Sequence, residues 1–297
     1  MTAQVRLDAG EASLTVALDG AEAREWRVAG RELLWSGDPA IWNQISPILF
    51  PVVGWTGDGA RVNGRHYPLR LHGFAAAQTF ALESRQADKA RFVLTDNEAT
   101  RALYPFAFRF IVEYRLTPTR LEIALEMENR GTAPAPYAFG LHPGFRWPFD
   151  GAGREGCKVV FEKAESGEVP VIAPGGLVTL RRRPIPMKGR VLELTDELFA
   201  LDALCFLDPA SRALRFIGAS GAAIEMALGD FPHAALWMRP GAPFLCMEAW
   251  TGYSDPEGFA GDLFEKPAMR VVGPGERRRC VAVYSYLPPP AEAGAQR

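Results

Sequence analysis

Apolar and polar positions alternate with a period of two wherever this chain shows a clear pattern. The longest example is "FRFIVEYRLTPTRLEIALEMEN". Phe108, Phe110, Val112, Tyr114 and Leu116 fall on one face. After the turn "TPT", Leu121, Ile123, Leu125 and Met127 do the same, with Glu122, Glu126 and Glu128 opposite. The pattern predicts a β-hairpin with one dry and one wet face. Shorter runs of the same kind, such as "SLTVALDG", "RFVLTD", "HAALWMR", "FLCMEAW" and "CVAVYSYL", are separated by turn segments such as "GDG", "NG" and "PGG". Helical periodicity is scarce. Only "TDELFALD" offers a capping Thr or Asp ahead of a turn or two.

Many short strands with Gly- and Pro-rich connections predict an all-β fold, a large antiparallel β-sandwich. No repeat or linker divides the chain, so residues 1–287 read as one domain. Gly151 to Arg190 reads as an irregular excursion between strands, and the Pro/Ala-rich residues 288–297 as a disordered tail.

Three positions break their own pattern. In "YAFGLHPGF", Tyr137, Phe139 and Leu141 share one face of an extended segment. Ala138, Gly140 and His142 share the other, leaving an imidazole on an otherwise bare surface, and Pro143 keeps His142 out of helical geometry. Such a histidine can meet a ligand or be hydrogen-bonded under a loop. "FLCMEAW" is apolar on both faces, which predicts a strand buried on both sides, yet it contains Glu248. Burial raises a carboxyl pKa toward neutrality, which suits a general base; a buried pair with an arginine explains the residue equally well. In "YPLRLHGFA", His72 lies on the less apolar face of an alternating run, which by itself needs no function.

Composition narrows the partners. The 297 residues carry 33 Lys plus Arg against 35 Asp plus Glu, a formal charge of -2, which supplies no electrostatic reason to bind nucleic acid or an anionic membrane. Two "RRR" clusters, Arg181–Arg183 and Arg277–Arg279, have no interleaved aromatics and read as solvated loops or edge strands. Cys157, Cys205, Cys246 and Cys280 show no metal or redox spacing, and the first residues contain no apolar leader, so a reduced cytoplasmic setting is expected. Phosphate loops, dinucleotide fingerprints, "HExxH" and serine elbows are absent. His72, His142 and Glu248 could form a two-histidine, one-carboxylate metal set, but separations of 70 and 106 residues give no support for one.

Taken in order, "SPILFPVVG", "LHGFA", "YPFAF", "FGLHPGFRWP" and "FLCMEAWTGYSDP" resemble the aldose 1-epimerase family, or galactose mutarotase-like proteins, in a divergent bacterial branch, from about Leu14 to about Leu287. The resemblance implies a sugar cleft on one sheet and interconversion of α and β anomers of a free aldose, without metal or organic cofactor. Carried over by motif, His142 corresponds to the general acid, Glu248 to the general base and His72 to a second histidine near the ring oxygen. Where the family has an arginine shortly before its first histidine, this chain has Trp55, so clamping of the sugar falls to Arg61, to Arg70 or to stacking on Trp55. Asp202 is the candidate for a substrate-binding aspartate. Trp237 is either an apolar platform for the sugar or a core residue. The expected partner is a monosaccharide, an aldohexose or its phosphate, and the expected state a monomer or homodimer. The alternatives are a hexose-phosphate mutarotase, a non-catalytic carbohydrate-binding protein on the same fold, and a glycoside hydrolase or lyase, which would need a second well-placed carboxylate.

Overall fold

A computed structural model describes residues 3–290; most of the expected tail, residues 291–297, lies outside the described residues. The expected hairpin is present as Phe108–Leu116 and Arg120–Asn129, paired from Phe108 with Asn129 to Leu116 with Leu121. It sits inside a ten-stranded antiparallel sheet, flanked by Lys89–Thr95 on one side and Arg277–Leu287 on the other. A six-stranded sheet faces it. There Phe244–Trp250 pairs with His233–Trp237 on one side, and with the short strands Gly140–Leu141 and Gly144–Arg146 on the other. A third sheet of four strands, running from Gln4 to Glu32, closes one end.

The inward faces of these sheets make one continuous core. Tyr284 spans it, its hydroxyl donating to the carbonyl of Met247 at 3.1 Å while its ring packs on Phe145. Phe50 stacks on Phe110 with centroids 4.1 Å apart. Truncating an aromatic ring so placed to alanine costs about 3–5 kcal/mol. Phe50 also exchanges backbone hydrogen bonds with the turn that carries His72, so core packing fixes that turn.

Several expectations change. The outer face of the hairpin is not wet: Glu113, Glu126 and Glu128 are nearly covered by cations from neighbouring strands, Arg91, Lys89 and Arg279 closing over Glu113. The expected irregular excursion is largely strand. Glu168–Ala173 and Leu177–Pro184 form a two-stranded hairpin containing Arg181–Arg183, and Lys158–Phe161 belongs to the ten-stranded sheet. Its alternation is hard to read because one side of the hairpin is bare, with Leu180 fully exposed. Arg277–Arg279 lie on a strand inside the large sheet, exposed where that strand pairs only with Arg120–Asn129. "TDELFALD" makes only a 3-10 turn, Asp196–Phe199, without a side-chain cap. An unexpected α-helix, Glu98–Leu103, is closed by a reciprocal Asn97 and Thr100 capping box. No described helix is long and apolar enough to cross a membrane.

Candidate active site

The strand Phe244–Trp250 is buried throughout, as its sequence predicts. Period-two geometry turns Leu245, Met247 and Ala249 one way and Glu248 and Trp250 the other, onto the outer face of the six-stranded sheet. Across the ladder Glu248 meets Ala235, whose small side chain leaves space above it. A cavity of about 320 Å³ opens there, within the usual range for small-molecule sites.

Glu248 is 1% exposed and has no arginine partner among the described residues. Trp250 donates its indole N–H to Oε2 at 3.0 Å, and His142 Nε2 lies 3.2 Å from the same oxygen. Burial pushes the Glu248 pKa well above the ordinary carboxyl range; the indole bond works against that shift, and the charge of Asp202 adds to it.

His142 is buried rather than exposed on a bare face. It stands at the end of Gly140–Leu141, ringed by Trp42, Trp237 and His72 at centroid distances of 5.3, 5.6 and 5.5 Å. The small residues beside it do not make room for a ligand. A Cβ on Gly140 would come within 2.7 Å of Leu49 Cδ1, and Ala138 packs among Leu49, Val53 and Trp250. Burial, reinforced by His72, pushes the His142 pKa well below its usual value, and its Nδ1 is buried without a partner among the described residues.

His72 does not end a strand. Its segment turns after Tyr67, and His72 adopts a left-handed backbone with φ of 60°, held by its own N–H to the Gly54 carbonyl at 2.9 Å. A non-glycine residue at positive φ stores strain that the surroundings must hold. The Gly54 N–H donates to His72 Nδ1 at 3.1 Å, so the neutral ring carries its proton on Nε2. Burial lowers the His72 pKa to about 4. Gly54 cannot carry a side chain, since a Cβ would fall 2.1 Å from Ser254 Oγ; that hydroxyl in turn accepts the Trp55 N–H at 3.0 Å.

The cavity therefore gathers His72, His142, Glu248, Asp202, Trp55 and Trp237 from the sequence expectations. Asp202 sits at the rim with φ of 76°, Oδ1 accepting the N–H of Ala203. Trp55 is partly exposed, its ring against Gly176 of the outer hairpin, where a Cβ would meet Trp55 Cδ1 at 2.1 Å. Arg70 and Arg61 are not in the lining: Arg70 is exposed, and Arg61 pairs with Asp58. His72, His142 and Glu248 converge, yet no group of three His, Cys, Asp or Glu among the described residues is placed to hold a metal ion. Trp42, Gln44, Trp250 and Arg239 line the cavity without having been anticipated. Only Trp250 carried a signal, standing two residues from Glu248 on the same face of one strand; Arg239 lies beyond the end of His233–Trp237, where period two no longer fixes a face.

Comparison with known proteins places this site in context. A family model described as aldose 1-epimerase matches residues 3–276. The LacX proteins of Lactococcus lactis subsp. lactis, plasmid and chromosomal, are each 30% identical over 257 residues, spanning 82% of this chain and 86% of theirs. Among solved structures, a galactose mutarotase related enzyme from Lactobacillus acidophilus superposes with a TM-score of 0.87 at 26% identity, covering 97% of this chain and 98% of that one. A galactose mutarotase-like protein from Lactobacillus casei gives 0.88 at 24% identity, covering 96% and 100%.

Proposed function

The chain belongs to the aldose 1-epimerase family, and from that premise we propose that it interconverts the α and β anomers of an aldose by general acid and base catalysis. The observation that carries this reading is the 3.2 Å contact between His142 Nε2 and Glu248 Oε2 in the wall of a cavity.

Ring opening needs a proton removed from the anomeric hydroxyl and a proton delivered to the ring oxygen. In the reactive arrangement Glu248 is a carboxylate and His142 an imidazolium. Glu248 takes the hydroxyl proton, the carbonyl forms at the anomeric carbon, and its bond to the ring oxygen breaks as His142 gives that oxygen its proton. The dyad then holds its proton on Glu248 with His142 neutral, the form that burial favours for both groups. Rotation about the bond between the first two carbons turns the other aldehyde face inward, and reversing both transfers closes the opposite anomer. The total proton count of the dyad never changes.

His72, neutral and with its proton on Nε2, serves as a fixed donor near the ring oxygen. Trp55, Trp42 and Trp237 offer apolar faces for the sugar ring, and Asp202 an acceptor for its hydroxyls. A positioned acid or base contributes typically about 10²- to 10⁴-fold, so two suffice for a reaction that already proceeds in water.

Polarimetry or anomer-resolved NMR on freshly dissolved glucose, galactose and their 6-phosphates tests the reading. Faster equilibration with protein than without is the expected result. If no sugar is accelerated, the catalytic reading fails; stabilisation by sugar without turnover would leave a binding protein on the same fold.

A further inference from the structure

Ring opening leaves one cavity residue without a task. Arg239 lines the cavity two residues beyond Trp237, where the strand His233–Trp237 has ended, and its guanidinium has no ion pair or hydrogen bond among the described residues. It is the only lysine or arginine among the described lining residues. Asp202 lines the same cavity but does not pair with it; the Asp202 carboxylate is bonded to the N–H of Ala203 at 2.7 Å. A second guanidinium, that of Arg183, donates to the Asp202 carbonyl at 3.4 Å and lies close enough to Asp202 and Cys205 to feel both.

The fixed charges around the cavity can be summed. Among the lining residues Asp202 contributes one negative charge and Arg239, exposed at the cavity mouth, one positive charge, with Arg183 adding a second positive charge from outside the lining. His72 is held neutral, and the dyad of His142 and Glu248 is neutral overall in either arrangement of its proton. Within the lining Arg239 and Asp202 therefore balance, and Arg183, held on the Asp202 carbonyl from outside the lining, offsets the Asp202 charge and leaves Arg239 without a counter-charge of its own. A cation at the mouth of a walled cleft attracts an anion more strongly than it would in open water.

Position indicates which part of the ligand Arg239 meets. Ala235 is the cross-strand neighbour of Glu248, and Arg239 lies four residues further on, at most about 13 Å of extended chain. A separation of up to that span brings a substituent at the opposite end of a hexose within reach of the guanidinium. We propose that Arg239 binds an anionic group, a phosphate or a carboxylate, on the sugar carbon remote from the anomeric centre, so that the preferred substrates are aldose phosphates or uronates. The assignment rests on the mutarotase reading in placing the anomeric carbon at Glu248 and His142.

The test uses the full chain and its Arg239→Gln and Arg239→Lys variants. Anomer exchange is measured by NMR for glucose and galactose, for their 6-phosphates, and for glucuronate and galacturonate. Thermal shift with the same sugars reports binding without turnover. Expected is at least tenfold higher kcat/KM for one anionic class than for the neutral parents, with the phosphate and uronate arms identifying which. Arg239→Gln should lower that class at least tenfold, mainly through KM, and leave neutral sugars within twofold, with Arg239→Lys in between. Turnover confined to neutral sugars, or equal losses for neutral and anionic sugars in Arg239→Gln, would overturn the anionic subsite while leaving the mutarotase reading intact. Stabilisation by an anionic sugar that depends on Arg239, without any turnover, would uphold the subsite and defeat the mutarotase reading. Failure of every anionic sugar both to react and to bind would overturn the subsite as well.

Discussion

Glu248 and Glu113 are both strand glutamates with little exposure, 1% and 7%, yet their charges move in opposite directions. Glu113 lies on the outer face of the large sheet. Desolvation pushes its pKa up, but the hydrogen bonds of Arg91 and Lys89, with the charges of Lys89 and Arg279, outweigh that and hold it below the ordinary range. Among the described residues Glu248 meets only an indole N–H and an imidazole, so burial prevails and its pKa rises. Depth alone does not decide whether a carboxyl is ionised. A ring of permanent cations makes a fixed charge, whereas a single titratable partner makes a proton that can move.

The largest test of this contrast is Glu248→Gln. On a reactive sugar it should lower kcat/KM by about 10²- to 10⁴-fold. Stability should move the other way. A carboxyl whose folded pKa is raised contributes stability that is full below its unfolded pKa and is lost as pH rises through the folded value. Glutamine mimics the protonated form, so the variant should melt no lower than the wild type at pH 5 and progressively higher toward pH 8. A variant that keeps its activity, or melts lower at pH 8, would remove Glu248 from the role of buried base.

Trp250→Phe probes the same carboxyl more gently. It keeps an aromatic ring and deletes the one hydrogen bond that draws the Glu248 pKa down. Because the indole and His142 both meet Oε2, Oε1 is the oxygen left for the proposed proton transfer, and losing the indole frees the carboxyl to rotate. The expected result is a kcat about tenfold lower at neutral pH with little change in KM, and an acid limb of the pH–rate profile moved to higher pH. A lower kcat with an unmoved acid limb would reduce Trp250 to packing.

The contrast also bears on what the chain reveals before folding. Glu248 was legible because a charge inside a strand that is apolar on both faces is costly, and the cost points to a partner. The large hairpin was legible because period-two alternation survives wherever one face is buried. His142 was found for a mistaken reason: Gly140 is small to admit Leu49, not a ligand. The outer hairpin was misread because one face rests at the cavity through Ile172 and Val178 while the other meets only solvent. The contact of His142 with Glu248 joins residues 106 positions apart, and no local spacing encodes it. The neutralised outer face was equally hidden, since Arg279 reaches Glu113 from 166 residues away.

The subtlest change is at the other end of the comparison, Glu113→Gln. Removing the carboxylate leaves Lys89, Arg91 and Arg279 facing one another around an amide that neutralises none of them, at distances of 3.1, 2.9 and 3.0 Å in the native protein. The cations are 27–41% exposed, so solvent and salt relieve part of the repulsion, and a loss of about 1–3 kcal/mol is expected. A carboxyl whose folded pKa is depressed gives stability that is present above its unfolded pKa and lost as pH falls through the folded value. The deficit of the variant should therefore be full at pH 7 and close toward pH 3, whereas the advantage of Glu248→Gln grows with rising pH. Sugar turnover should stay within twofold, since no atom of Glu113 reaches the cavity. Chemical denaturation of both variants across pH 3 to 8 checks the opposed slopes. Parallel slopes would mean that the two glutamates differ in depth only, and that their partners do not set their charge.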